Sequence, residues 1–92
     1  MATITGKTKS GFEFEYDSRI LSDWRYIELL SQIQTGSDME KVSATTKAVK
    51  LLVGEDKMQS FIDHVANTNE GYAPIEQVVA EFLQMVDANQ KN

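Results

Sequence analysis

Apolar and polar residues alternate with a period of two at the start of the chain and of about 3.6 beyond it. Phe12, Phe14 and Tyr16 are separated by Glu13 and Glu15, the pattern of a strand with one face against a core. Thr3-Ile4-Thr5, rich in β-branched residues, precedes them, and Lys9-Ser10-Gly11 between the two runs supplies turn chemistry. Residues 1–17 are therefore expected as an extended or β-hairpin arm. A hairpin alone is marginal in water, so its aromatic face needs the rest of the chain or a second copy.

From residue 18 onward the periodicity is helical, and four helices are expected near 22–34, 40–53, 56–67 and 74–88. The first is capped by Ser22, or begins one turn earlier at Ser18. Trp24, Tyr26, Ile27, Leu29, Leu30 and Ile33 leave only the Arg25, Glu28, Gln32 stripe polar. A helix so apolar around its circumference is expected at the centre of the fold. The second starts at Met39 or Ser43, buries Val42, Ala48, Val49, Leu52 and Leu51, and ends at Gly54 as a left-handed cap. The third carries Met58, Phe61, Ile62 and Val65 on one stripe and stops in Asn67-Thr68-Asn69-Glu70-Gly71, where turns are favoured. The fourth has Pro74 in its first turn, where no donor is lost, and its stripe runs Ile75, Val78, Val79, Phe82, Leu83, Val86. Residues 89–92 are polar and expected to fray. Without a linker or repeat, the chain reads as one mainly α domain: four helices behind an extended or hairpin segment.

Composition narrows the chemistry. The chain has no cysteine, which excludes disulfides and thiolate metal sites. No apolar run reaches the length of a membrane span, and Met1-Ala2-Thr3-Ile4 does not resemble a signal peptide, so no membrane association is expected. The net charge of −5 disfavours nucleic acid, although Lys41, Lys47, Lys50 and Lys57 outnumber Glu55 and Asp56 within 41–57. His64, the one histidine, lies beside Asp63 off the apolar stripe and reads as a surface residue with no nucleophile at hand. The carboxylates Glu13, Glu15 and Asp17 are expected to face water, and Asp38-Met39-Glu40 lacks the spacing of a calcium loop. No glycine cluster cradles phosphate. The expectation is a protein that is no enzyme, carries no cofactor or metal, and works by binding.

Two binding modules with recognisable sequence signatures fit poorly. Helix, Gly54, helix imitates a helix-turn-helix, but the second helix offers Met58, Gln59, Asp63 and His64, with an acid facing an anionic groove. Asp17-Ser18 is the only Asp-Ser pair for an acyl carrier, and Arg19 follows where that motif takes an aliphatic residue.

The order of features resembles the small tail assembly chaperones of long-tailed bacteriophages. The likeness spans roughly residues 11 to 86. It rests on Gly11-Phe12-Glu13-Phe14-Glu15-Tyr16-Asp17, then Leu21-Ser22-Asp23-Trp24-Arg25-Tyr26-Ile27-Glu28-Leu29-Leu30, then Ala48-Val49-Lys50-Leu51-Leu52-Val53-Gly54-Glu55-Asp56 and last Tyr72-Ala73-Pro74-Ile75-Glu76-Gln77-Val78. It implies a protein of the host cytoplasm that binds and solubilises the tape measure protein during tail assembly and is absent from the mature virion. A small regulatory adaptor or antirepressor of a mobile element is the competing class.

Such a role calls for apolar surface beyond what the core consumes. The candidates for partner binding or self-association are Phe12, Phe14, Tyr16, Trp24, Tyr26, Leu51 and Met85, since aromatics and methionine suit an adaptable interface. For Trp24 the apolar circumference of its helix favours a core position instead. A free strand edge at 12–16 adds the expectation of weak homo-oligomers.

Overall fold

A computed structural model describes residues 2–90, with side chains described through 87. Strands β1 (Thr3–Lys7) and β2 (Glu13–Asp17) form an antiparallel hairpin in which Ile4 faces Tyr16 and Gly6 faces Phe14. Its turn closes through Thr8, whose N–H donates to Phe12 O at 2.9 Å and whose hydroxyl accepts from Phe12 N at 3.0 Å. Gly11 supplies the positive φ of +103° that this turn requires. Glu13 and Glu15 face water while Phe12, Phe14 and Tyr16 turn inward, as the alternation requires.

A 3₁₀ turn at Ser18–Ser22 leads into α1 (Trp24–Thr35), so Ser18 does open an earlier turn. Both starts use the same Asp-x-Arg device. The Asp17 carboxylate accepts from Arg19 N at 2.9 Å and Asp23 from Arg25 N at 2.8 Å, and each arginine folds its guanidinium back onto its own aspartate. Asp23 rather than Ser22 therefore caps α1. These hydrogen bonds, first from the guanidinium and then from the backbone N–H, hold both carboxyls below the ordinary aspartate range.

Helix α2 (Asp38–Val53) opens with a capping box: Glu40 N donates to Ser37 Oγ at 3.3 Å and Ser37 N to Glu40 Oε1 at 2.9 Å. Gly54 ends α2 and directly begins α3 (Glu55–Asn67) with φ +93° and ψ 164°, an extended mirror-image conformation rather than the left-handed helical cap expected. After a turn at Thr68–Gly71, α4 (Ile75–Gln90) follows Pro74, whose carbonyl accepts from Val78 N. Helix α4 runs two residues beyond the expected 88; the last two residues of the expected frayed tail lie outside the described residues.

The central element is α2, which packs against α1, α3, α4 and β2. Ala44 and Ala48, wholly buried, let its neighbours approach closely. The placement of α1 at the centre is thereby corrected. Tyr26 and Ile33 face the core, but Trp24 is 81% exposed and Ile27 half exposed. The apolar circumference of α1 exceeds what its one packed face can bury. Val42, expected inside, is 46% exposed for a similar reason: α2 buries the face carrying Ala44, Thr45, Ala48, Val49 and Leu52.

Candidate functional site

Among the seven candidates, five are interior. Phe12, Phe14, Tyr16, Tyr26 and Met85 are each less than a tenth exposed and belong to one continuous core. Phe12 meets Phe61 edge to face with ring centroids 5.2 Å apart, and Phe14 stacks on Tyr16 at 5.9 Å. The Tyr16 hydroxyl donates to Met85 O at 2.8 Å, and burial pushes its pKa up to about 12. The aromatic face of the hairpin thus packs on α2, α3 and α4, and at its edge Phe12 and Phe14 line a hollow of about 750 Å³ with Val53 and Lys57. Leu51 is half-buried, in a hollow of about 460 Å³ between α1 and α2 with Leu29 and the cations Arg25, Lys47 and Lys50. Trp24 alone of the seven stands out in solvent, and with Ile27 it borders a shallow depression on α1.

Sequence reasoning missed a polar cluster that docks the hairpin turn onto the helices. Ser10 Oγ donates to Glu81 Oε2 at 2.8 Å and lies 2.9 Å from His64 Nε2, while Lys9 N donates to Gln84 Oε1 at 2.8 Å. Glu81 is only 2% exposed, and the His64 ring packs 5.6 Å from Phe12, so His64 is not the free surface residue expected. The signal for Glu81 was its spacing: it falls three residues after Val78 and four before Met85, on the inward face of α4. Ser10 Oγ is shared between the Glu81 carboxylate and the His64 imidazole, so one hydroxyl bridges α3 and α4. The trio fastens the turn.

A second uncovered feature is an apolar groove bounded by α2, α3 and α4, with Ile33 of α1 at one end. Two adjoining hollows, about 330 Å³ and 610 Å³, share Ile75 and Val79. The smaller is lined by Val42, Thr45 and Thr46 of α2, Met58 and Ile62 of α3, and Val78 of α4. The larger continues past Ala80 to Leu83. Ile75, Val79 and Leu83 repeat every four residues and mark roughly 12 Å of one helix face. The threonines and Ala73 on this face are too small to fill the space between the helices, and Val42, Ile75 and Leu83 of its lining are exposed. Sequence periodicity placed Val42, Ile75 and Leu83 on core stripes because it reports a helix's apolar face, not whether a neighbour covers it.

Beneath the groove sits an unsatisfied group. Thr45 is 3% exposed and its hydroxyl has no hydrogen-bond partner. A buried hydroxyl left unpaired costs about 1–3 kcal/mol. The charges on the rim are Asp38, Lys41 and Glu76. Among the described residues no cluster of histidine, aspartate and glutamate could hold a metal ion, and no helix is long and apolar enough to cross a membrane.

Neither a known protein family, a curated protein nor a solved structure matches the chain. The geometry therefore carries the functional reading by itself, beside the resemblance in the order of sequence features.

Proposed function

We propose that this protein is a binding module that masks an apolar segment of another protein, and that it acts as a tail assembly chaperone for a phage tape measure protein in the host cytoplasm. The observation that carries the reading is the uncovered groove between α2 and α4, with Val42, Ile75 and Leu83 exposed on a chain of only 92 residues. Apolar surface of this continuity is disfavoured in water and marks a place where another chain binds. The acidic balance of 14 Asp and Glu against 9 Lys and Arg keeps the free form soluble while that surface is open. A tape measure protein, a long apolar helical rod exposed before tube subunits surround it, is the partner that the resemblance implies.

Coexpression tests this directly. A tape measure protein encoded beside this chain, insoluble when made alone, is expected to stay in the supernatant and copurify when both are made together. A tape measure protein that still pellets, with this chain alone in the supernatant, rejects the chaperone role.

A further inference from the structure

We infer that the outward edge of β2 takes up an extended segment of another protein in which basic and apolar residues alternate, adding it to the hairpin as a third, antiparallel strand. This site is separate from the groove between α2 and α4 and does not depend on it.

The edge follows from the hydrogen-bond register. Ser18 N donates to Ala2 O and Thr8 N to Phe12 O, at the two ends of a ladder that pairs Ile4 with Tyr16 and Gly6 with Phe14. In an antiparallel ladder alternate residues exchange bonds with their partners. Here the even-numbered residues bond across the hairpin, and the odd-numbered ones turn their N–H and C=O groups outward. On β2 the outward groups belong to Glu13 and Glu15, and no other described residue bonds to them. They are free to pair with another strand.

Beside this edge lies room for side chains. β2 packs on α2 and β1 on α4. Glu13 and Glu15 line the hollow of about 750 Å³ together with Phe12, Phe14 and Val53, the last residue of α2. A strand laid along Glu13 and Glu15 sends every second side chain toward Phe14 and Val53, and the others to the face that the two glutamates share. Backbone pairing requires the extended form, and the hollow selects the side chains that turn inward. Lys57 also lines it, so those side chains are apolar and not basic.

Charge selects the remaining positions. Asp17 is held by Arg19 and Glu13 approaches Lys7 at 3.8 Å, but Glu15, across from Thr5, makes no ion pair. A lysine or arginine directly opposite Glu15 gains a cross-strand partner, and an acid there is repelled. A second copy is therefore the wrong occupant. Pairing β2 with β2 about Glu15 sets that residue against itself and Glu13 against Asp17, acid on acid.

The test uses labelled nine-residue peptides and fluorescence anisotropy on the full chain. In the first peptide lysine and valine alternate. Lysines opposite Glu13 and Glu15 direct their own N–H groups to β2, and the valines direct theirs away. Methylating the lysine amides should weaken binding about tenfold, while methylating the valine amides should change nothing. A glutamate–valine peptide should bind at least about threefold more weakly, and Glu15→Lys should cost the lysine peptide as much. Val42→Lys, in the groove between α2 and α4, should leave binding unchanged. Amide hydrogen exchange followed by NMR reads the edge itself. In the free chain the Glu13 and Glu15 amides should exchange fast and those of Phe14 and Tyr16 slowly. With the peptide at about ten times its Kd, the first two should slow about tenfold.

Slow exchange at Glu13 and Glu15 in the free chain overturns the inference, as does equal weakening by the two methylations. Equal binding of the glutamate peptide, loss of binding in Val42→Lys, or protection at Thr3 and Thr5 instead does the same. Protection of Glu13 and Glu15 that rises with protein concentration in the absence of peptide assigns the edge to a second copy and overturns it too. A lysine peptide that fails to bind at millimolar concentration leaves the edge without the proposed occupant, and the inference is wrong.

Discussion

The Phe14 ring lies against Gly6, its partner across the hairpin, so closely that a Cβ on Gly6 would stand 2.8 Å from Phe14 Cζ. The glycine is there for that approach. Its absent side chain lets the ring cover the strand while stacking on Tyr16 and staying in the core. Gly6→Ala is expected to force the buried ring aside and to cost about 1–3 kcal/mol. Urea denaturation of the variant checks this, and a midpoint equal to wild type would mean that the ring shifts freely.

Trp24 and Tyr26 are separated by one residue and by the whole thickness of α1. Trp24→Ala should leave stability within about 0.5 kcal/mol of wild type, since the side chain is already in water. Tyr26→Ala, 2% exposed and 6.5 Å from the Phe82 ring, should cost about 3–5 kcal/mol. Thermal melts of the two variants side by side separate these outcomes by many degrees.

Ser10 holds the hairpin turn to α3 and α4 through one hydroxyl. Ser10→Ala leaves buried Glu81 without that donor and should cost about 1–3 kcal/mol. A double-mutant cycle with Glu81→Ala should return a coupling of about 1 kcal/mol or more. Additive losses would show that the contact contributes nothing of its own.

Acid should loosen the helix starts. Asp17, Asp23 and Glu40 are held below their ordinary ranges, the first two by arginine hydrogen bonds and Glu40 by the Ser37 N–H and hydroxyl. A depressed folded-state pKa means that the stabilisation is fully present above the unfolded-state value, about 3.9 for aspartate. It is lost as pH falls through the folded-state value. Melting temperature followed downward from pH 6 should therefore be flat at first and decline below about pH 4. Asp23→Asn, which still caps the helix but does not titrate, should decline less steeply. An unchanged slope would place the acid sensitivity elsewhere.

Local pattern by itself determined the hairpin and four helices within a few residues, because these depend on neighbours in sequence. The alternation through Phe12, Phe14 and Tyr16 named the strand, Gly54 named the break between α2 and α3, and Pro74 named the approach to α4. The same pattern marked Trp24, Val42, Ile75 and Leu83 as apolar without indicating which neighbour would cover them. Only the tertiary structure decided that. Alanines at 44 and 48 draw α1, α3 and α4 around α2, so α1 lies outside with Trp24 in solvent, and the hairpin aromatics go inward. The groove over Thr45 arises where α2, α3 and α4 meet through side chains too small to close it, and the Ser10–His64–Glu81 fastening joins residues 54 and 71 positions apart. Periodicity describes one helix at a time; burial is a property of the space between helices, and that space exists only once the chain has folded.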